Sequence, residues 1–444
     1  MLKGMTSFFN RIVQRYLPDA FLFALILTFI VYILGVLFTD SGPVQMVEHW
    51  GTGFWDLLQF AMQMSLIVVT GYILANTPLV KGFLQKLSNL ANTPGQAIVL
   101  VTIVASIACL INYGFGLIVG ALLSLHVAKR IPSVDYRLLI AAAYSGFLLW
   151  HGGLSGSIPL TIATDDHFLM DSVGSIPITE TLFSGMNLFI VFVLLVTLPL
   201  MNWLMNRSSD YTGTLDPEFL NAQTESTKVE DAPKKEEMTP AEKLENSKAV
   251  SMIIGLLGLT FIFIHFINNG FDLNINIVNF IMLFLGIILH VNPRRYLNVI
   301  NDAVKNAGGI IIQFPFYAGI MGMMVASGLS EQMSLWFVNI SNEVTFPLFA
   351  FISAGIVNFF VPSGGGQWAV QGPIMIGAAS DLGVDTAKTA MAVAWGDAWT
   401  NMIQPFWALP LLAIAGLKVK DIMGFCMVIL IWSFVPIALA LLLF

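Results

Sequence analysis

The chain has 444 residues, of which 57% are hydrophobic and 11% charged, and its mean hydropathy is +0.80. That apolar excess cannot be hidden in one water-soluble core, so the composition defines a polytopic membrane protein. The net charge of -7 carries no message about partners because ten acidic residues lie in one loop, and nothing supports nucleic-acid binding.

Residues 1–17 set Phe8, Phe9, Ile12, Val13 and Tyr16 at helical spacing among Lys3, Arg11 and Arg15, the pattern of an amphipathic helix in the membrane interface. Ala20 to Phe38 is about as long as the ~20 residues a crossing needs, and no small-residue cleavage site follows it. Further spans fall near 57–77, 138–163, 183–204, 249–268, 275–291, 308–328, 388–416 and 421–443. Two segments, 96–128 and 346–380, are too long for one crossing and are broken near their middles, at Asn112 to Gly116 and Asn358 to Gln367. In the second, VNFFVPSGGGQW puts a proline, a serine, three glycines and an amide into an apolar run, which rules out one continuous helix. An arm such as 96–111 extends only ~24 Å, short of a ~30 Å hydrocarbon core. Both segments are expected to be re-entrant hairpins, with irregular backbone at the tips lining a cavity or buried in protein. The fold class expected is an all-α membrane protein with about nine spans, two hairpins and broken helices.

Positive charge accumulates on cytoplasmic loops. With a cytoplasmic N-terminus and the C-terminus outside, this layout leaves every Lys and Arg inside except Lys388. Making either hairpin a single crossing would invert every later loop. The two halves also resemble each other. Asn112 in CLINYGFG recurs as Asn358 in GIVNFFVPSGGG, and the stretch from Ala141 to Leu160 resembles that from Ala392 to Leu411, with Pro159 matching Pro410. The expected organisation is the interfacial helix, a first repeat over 18–206, a linker over 207–248, and an unmatched span plus a second repeat over 249–444. The unmatched span makes the repeats inverted, the architecture of secondary transporters with a central site and alternating access. Within the linker, Thr239, Pro240 and Glu242 form a capping-box pattern that starts a helix, and the rest reads as a solvated tether.

INYGFG, YSGFLLWHGGLSGS, QFPFYAGI, NFFVPSGGGQWAVQGP and QPFWALPLLAIAGL resemble the bacterial short-chain fatty acid transporters, the AtoE-type permeases, nearly end to end. The resemblance extends to the ion transporter superfamily. It implies uptake of short monocarboxylates such as acetoacetate or butyrate across the inner membrane. It further implies a dimerising scaffold and a moving, elevator-like transport domain. Another small organic anion, such as a dicarboxylate, and an anion channel are the alternatives.

The candidate substrate-binding residues are those at the breaks. They are Asn112, Gly114 and Gly116 in the first hairpin; Ser155 and Ser157 in the first broken helix; Asn358, Ser363, Gly364, Gly365, Gly366 and Gln367 in the second hairpin; and Asn401 and Gln404 in the second broken helix. The helix starting near Gly364 offers N–H groups to a carboxylate without a buried cation. Asn112 and Asn358 either cap hairpin helices or coordinate ligand or a Na+ ion. Asp397, acidic and deep in a span, is either a coupling-ion or proton site or a structural carboxylate. His151 beside Gly152 and Gly153 is either a second proton carrier or structural. Trp368, Trp395, Trp399 and Trp407 with Phe359 and Phe360 either line a pocket for a short alkyl chain or pack domains together. Cys109 and Cys426 have neither disulfide nor metal-ligand spacing, and no cofactor is expected beyond a coupling Na+ or H+. No P-loop pattern occurs, and Ser155, Ser157 and Ser363 lack the base arrangement of a hydrolase, so no enzyme is expected.

Overall fold

The computed structural model describes residues 20–207, 238–358, 361–404 and 406–444. The interfacial helix expected over 1–17, most of the linker, and Phe359 and Phe360 lie outside these residues. Every regular element among the described residues is helical.

The elements follow in chain order. The first series is α1 Ala20–Phe38, α2 Pro43–Gly53, α3 Leu58–Ala75, α4 Pro78–Ser88, a hairpin of α5 Pro94–Ile111 and α6 Tyr113–Arg130, a broken helix of α7 Tyr136–Ser145 and α8 Ser157–Ile162, a short α9 Met170–Val173, and α10 Gly185–Arg207. Between the series stand α11 Pro240–Glu245 and α12 Lys248–Asn269. The second series is α13 Ile275–Leu289, α14 Pro293–Lys305, α15 Gly308–Ala326, α16 Leu329–Ile340, a hairpin of α17 Phe346–Val357 and α18 Gly364–Leu382, a broken helix of α19 Thr386–Thr400 and α20 Ala408–Ala415, and α21 Val419–Leu443. Long helix, short helix, long helix, short helix, hairpin, broken helix and long helix thus occur twice in the same order. Among the described residues, α12 and two short connecting helices have no counterpart.

Among the described residues, seven helices are long and apolar enough to cross a membrane, and α5 with its 18 residues is one of them. The arm is therefore longer than its sequence boundaries indicated. The four short helices α2, α4, α14 and α16 are additions to the sequence reading. Their 11 to 13 residues mix apolar and polar side chains, so none registers as a span.

Local chemistry sets the helix starts. Pro43, Pro78, Pro94, Pro240 and Pro293 occupy the first turn, where a missing N–H costs nothing, and Thr77, Thr93, Thr239 and Asn292 accept from the following turn. The capping box of Thr239 and Glu242 forms as its sequence pattern requires. Asp135 and Asp385 cap the two broken helices. Beyond Ser145 the first broken helix tightens into a 3-10 segment, Gly146–Gly152, before the chain loosens towards Ser157. The arms α5 and α6 lie along each other, α17 lies along α19, and α3 and α15 pack against α6 and α18.

Candidate transport site

Asn112 is the hinge of the first hairpin. Its extended backbone (φ -156, ψ 126) ends α5, and its side-chain oxygen accepts from Phe115 N at 2.8 Å to start α6. Capping is thus what Asn112 does here, while its amide also donates to Ile67 O at 3.4 Å. The tip docks on the first broken helix. Tyr113 N donates to Ser155 Oγ at 2.9 Å, and Leu154 N donates to Leu110 O at 2.7 Å. A side chain at Gly153 would overlap the backbone of Leu110, so the junction requires glycine there. Gly116 likewise faces Cys109 across the two arms.

In the second hairpin the capping role belongs to Ser363, whose hydroxyl accepts from Gly366 N at the start of α18. Ser363 follows Asn112 at the offset that relates Ala141 to Ala392, so the functional counterpart of Asn112 is Ser363 and not Asn358. Asn358 works sideways. Its amide donates to Asp397 O at 3.0 Å, Thr400 Oγ1 at 2.9 Å and Asn401 Oδ1 at 3.1 Å, clamping the hairpin to the end of α19. Gln367 ties the two arms by donating to Ala354 O at 2.9 Å. Gln404 is buried within the break between α19 and α20 and accepts from Phe406 N at 2.8 Å.

The two broken helices meet at His151 and Asp397. Nε2 of His151 lies 3.3 Å from Oδ1 of Asp397, with both side chains fully buried. The pair stands at ion-pair distance without hydrogen-bond geometry at Nε2. Asn401 Nδ2 donates to the same carboxylate oxygen at 2.9 Å, and Tyr144 OH donates to Asn401 O at 2.7 Å. Asn187 from α10 completes the frame. It donates to Gly152 O at 3.1 Å and accepts from Trp395 Nε1 at 3.1 Å, so one amide bridges both broken helices. Asn187 and Tyr144 were not singled out from sequence; a lone amide early in the apolar run 183–204 was the available signal for the first.

The three glycines each touch a different element. A Cβ on Gly364 would overlap His151 and crowd Ser157 Oγ, one on Gly365 would overlap the ring of Phe60 in α3, and one on Gly366 would crowd the ring of Tyr317 in α15. Close approach at this tip is therefore to protein: one glycine seats the tip on the His151 side, and two seat it on α3 and α15.

Several polar atoms in this region have no protein partner. Ser157 Oγ, Asp397 Oδ2, Asn358 Oδ1 and Gln367 Oε1 are buried without a hydrogen bond. Leaving such a group unpaired costs about 1–3 kcal/mol, so these four atoms are polar groups whose hydrogen-bonding capacity the protein leaves unused. Ser157 makes no hydrogen bond to His151, and the nucleophile–base contact of a hydrolase is not formed.

Two cavities flank the site. One of about 910 Å³ lies between α2, the 168–172 segment, α15 and α18, and Glu48, Asp56 and Asp171 line it. The other, about 330 Å³, lies between the first hairpin tip, α3, the start of α15 and α20. Among the aromatics, Trp407 lines the smaller cavity, whereas Trp368 and Trp395 are wholly buried and Trp399 packs on Phe351 and Phe434.

All-helical architecture, paired hairpins and a buried polar junction between broken helices define a multi-pass membrane transporter. The likeness to a solved structure agrees on the fold: the Alcanivorax borkumensis YdaH transporter, whose crystal structure is described as revealing an unusual topology, superposes with a TM-score of 0.56 at 14% identity over 95% of this chain and 98% of that one. The particular family is set by sequence. The short chain fatty acid transporter model matches residues 1–444, and the chain belongs to that family. An Escherichia coli protein provisionally named a short-chain fatty acid transporter is 45% identical over 100% of both chains. A Haemophilus influenzae protein of the same provisional name is 47% identical over 98% of both. The family is one of transporters and not of enzymes.

Proposed function

We propose that this protein is a secondary transporter that takes up short-chain monocarboxylates, butyrate and acetoacetate among them, together with protons. The observation that carries the coupling is the fully buried contact of His151 with Asp397 between the two broken helices. Ionisable groups at that depth are costly and serve function by default. A carboxylate approaching the N-terminus of α18, beside Ser157 and His151, and a proton on the His151–Asp397 pair would cross together without net charge. No Lys or Arg lies at either hairpin tip or helix break, which favours one carboxylate over two.

On this reading the hairpins are re-entrant and opposed, the repeats are inverted, the N-terminus is cytoplasmic and the C-terminus outside. The linings of the cavities support it. All elements around the larger cavity fall on the outer side of that topology, and those around the smaller one, Lys305 included, fall on the inner side. The hairpins and broken helices would move elevator-like against α3 and α15, in a homodimer held by the scaffold. A second reading couples Na+ instead, favoured by the unpaired buried carbonyl oxygens of Asn358 and Gln367, which are hard oxygen ligands.

The test is uptake of labelled acetate, butyrate, acetoacetate and succinate into proteoliposomes under separately imposed H+ and Na+ gradients, with protein-free liposomes as the background. Butyrate and acetoacetate uptake should follow the inward proton gradient, with succinate excluded. Saturable succinate uptake outpacing butyrate would sink the substrate class, and dependence on Na+ alone would replace the proton. Accelerated exchange against unlabelled substrate separates a transporter from a channel.

A further inference from the structure

Among the described residues, neither ring nitrogen of His151 has a hydrogen-bond partner. A working histidine is ordinarily oriented by the bond its second ring nitrogen makes, so this ring must be placed by its backbone and its packing instead. The Trp150 ring lies against it, with centroids 3.7 Å apart, and Gly364 comes so close that a Cβ there would overlap its Nε2. The backbone beside it is held by one side chain. Asn187 Nδ2 donates to Gly152 O at 3.1 Å and to Leu182 O at 2.7 Å, while its Oδ1 accepts from Trp395 Nε1 at 3.1 Å. Gly152 follows His151, and Trp395 stands two residues before Asp397 on α19. A single planar group therefore grips the chain next to each member of the pair. Asn187 is itself anchored, fully buried in the first turn of α10 with its backbone N–H donating to Ser184 Oγ at 3.2 Å. The junction has no slack: a Cβ on Gly152 would come within 2.8 Å of the Trp395 ring and 3.1 Å of Asn187 Oδ1.

We propose that Asn187 is the positioning residue of the His151–Asp397 pair, fixing the separation of the two side chains and thereby how tightly substrate movement is coupled to protons. The inference rests on the proton-coupled reading above. Both amide hydrogens are spent on carbonyls and the oxygen holds an indole, so Asn187 acts through the pair and not on the substrate. Only an amide offers two donors and an acceptor in one plane at this length. Leucine fills nearly the same space with none of them, and aspartate would turn an oxygen towards the two carbonyls. Without the amide, Gly152 O and Leu182 O lose this donor and Trp395 Nε1 loses its acceptor, so the first broken helix and α19 are released from each other beside the pair. The other titratable groups facing this region are Tyr113, Tyr144, Tyr317, Cys109 and Cys426, all buried. Their ordinary pKa values lie above those of His and Asp, so a pH profile between acid and neutrality reports the pair.

The test compares two rates in proteoliposomes, proton-driven accumulation of labelled butyrate across a series of pH values and butyrate counterflow, for the full chain and for Asn187→Leu. The ratio of accumulation to counterflow should fall roughly 5-fold or more, and the pH of half-maximal uptake should move by about one unit. Trp395→Phe, which keeps an aromatic ring and removes the N–H, should act in the same way, and the double variant should be no worse than the more severe single, because both changes cut one bridge. In an Asp397→Asn background the pair is already lost, so adding Asn187→Leu should leave the ratio where Asp397→Asn alone puts it. Accumulation and counterflow falling in step, with the pH midpoint unmoved, would mean that Asn187 only holds the fold and overturns the proposal. If Asn187→Leu does not purify as folded protein, Trp395→Phe decides on the same criteria. Butyrate accumulation by the unsubstituted protein that ignores the proton gradient overturns the coupling reading instead.

Discussion

His151 and Asp397 sit 3.3 Å apart with both side chains fully buried, and each belongs to a different half of the chain. The contact makes the two broken helices one electrostatic unit. Asn401, in the same broken helix, donates to the Asp397 carboxylate, Asn358 of the second hairpin donates to the Asp397 carbonyl and Asn187 of α10 donates to Gly152 O beside His151, so two further elements help to position the pair.

Replacing Asp397 by Asn keeps the shape and removes the charge. Exchange of butyrate across a vesicle should persist, while proton-driven accumulation should fall roughly 5- to 150-fold, the range of a coupling energy of about 1–3 kcal/mol. Undiminished accumulation by the variant, measured beside counterflow, would assign Asp397 to packing.

At Gly365, a valine would overlap the Phe60 ring, and overpacking of this kind costs about 1–3 kcal/mol. Uptake should collapse in Gly365→Val. Combining the milder Gly365→Ala with Phe60→Ala should recover uptake relative to Gly365→Ala alone, because the second change removes the obstructing ring. A double variant no better than the single would show that the glycine serves something other than this contact.

Asn112→Ala and Ser363→Ala should each lower stability by about 1 kcal/mol, the cost of an N-cap, read as a fall in unfolding midpoint in detergent. Asn358→Ala should behave differently. Its amide reaches three acceptors around the end of α19, so a double-mutant cycle with Asn401→Ala should give a coupling of about 0.5–3 kcal/mol. Strict additivity would dissociate Asn358 from the junction.

His167 ties the loop after α8, with Nδ1 accepting from Leu169 N at 3.2 Å and Nε2 facing Gly174 O at 3.0 Å. Both bonds require the neutral ring carrying its proton on Nε2. Burial holds the His167 pKa below its ordinary value, against the opposing pulls of the Gly174 carbonyl and Asp165. The unfolded chain therefore binds the proton more readily, and the loop's stability is complete above about pH 6.5 and declines as pH falls below it. Amide exchange across 167–174 should accelerate on acidification, and His167→Gln should flatten that dependence. A pH-independent exchange rate in the native protein would contradict the tautomer assignment.

Topology is open to direct labelling. Ser175→Cys and Glu343→Cys should react with an impermeant reagent from outside the cell, and Lys243→Cys should react only from inside; all three positions are partly or fully exposed. Reaction of all three from one side would remove the inverted-repeat arrangement.

Hydrophobic run length, charge asymmetry and the interruptions at Asn112 and Ser363 were enough to define an all-helical membrane protein with two hairpins, because lipid imposes length and forbids unpaired backbone regardless of packing partners. Local capping was equally legible: Thr239 with Glu242 needs nothing beyond its own turn. Tertiary structure alone decided what met what. Asp397 and His151 each stood out as an isolated ionisable group, but their contact depends on how two broken helices cross. The triple glycine signalled close approach, yet Phe60 and Tyr317 as the approaching groups belong to distant elements. Asn358 resembled Asn112 in sequence, but the position of α19 turned its amide from a cap into a clamp. Helix ends follow from bonds within a few residues, whereas the site follows from side chains brought together across the chain, and no local pattern records that distance.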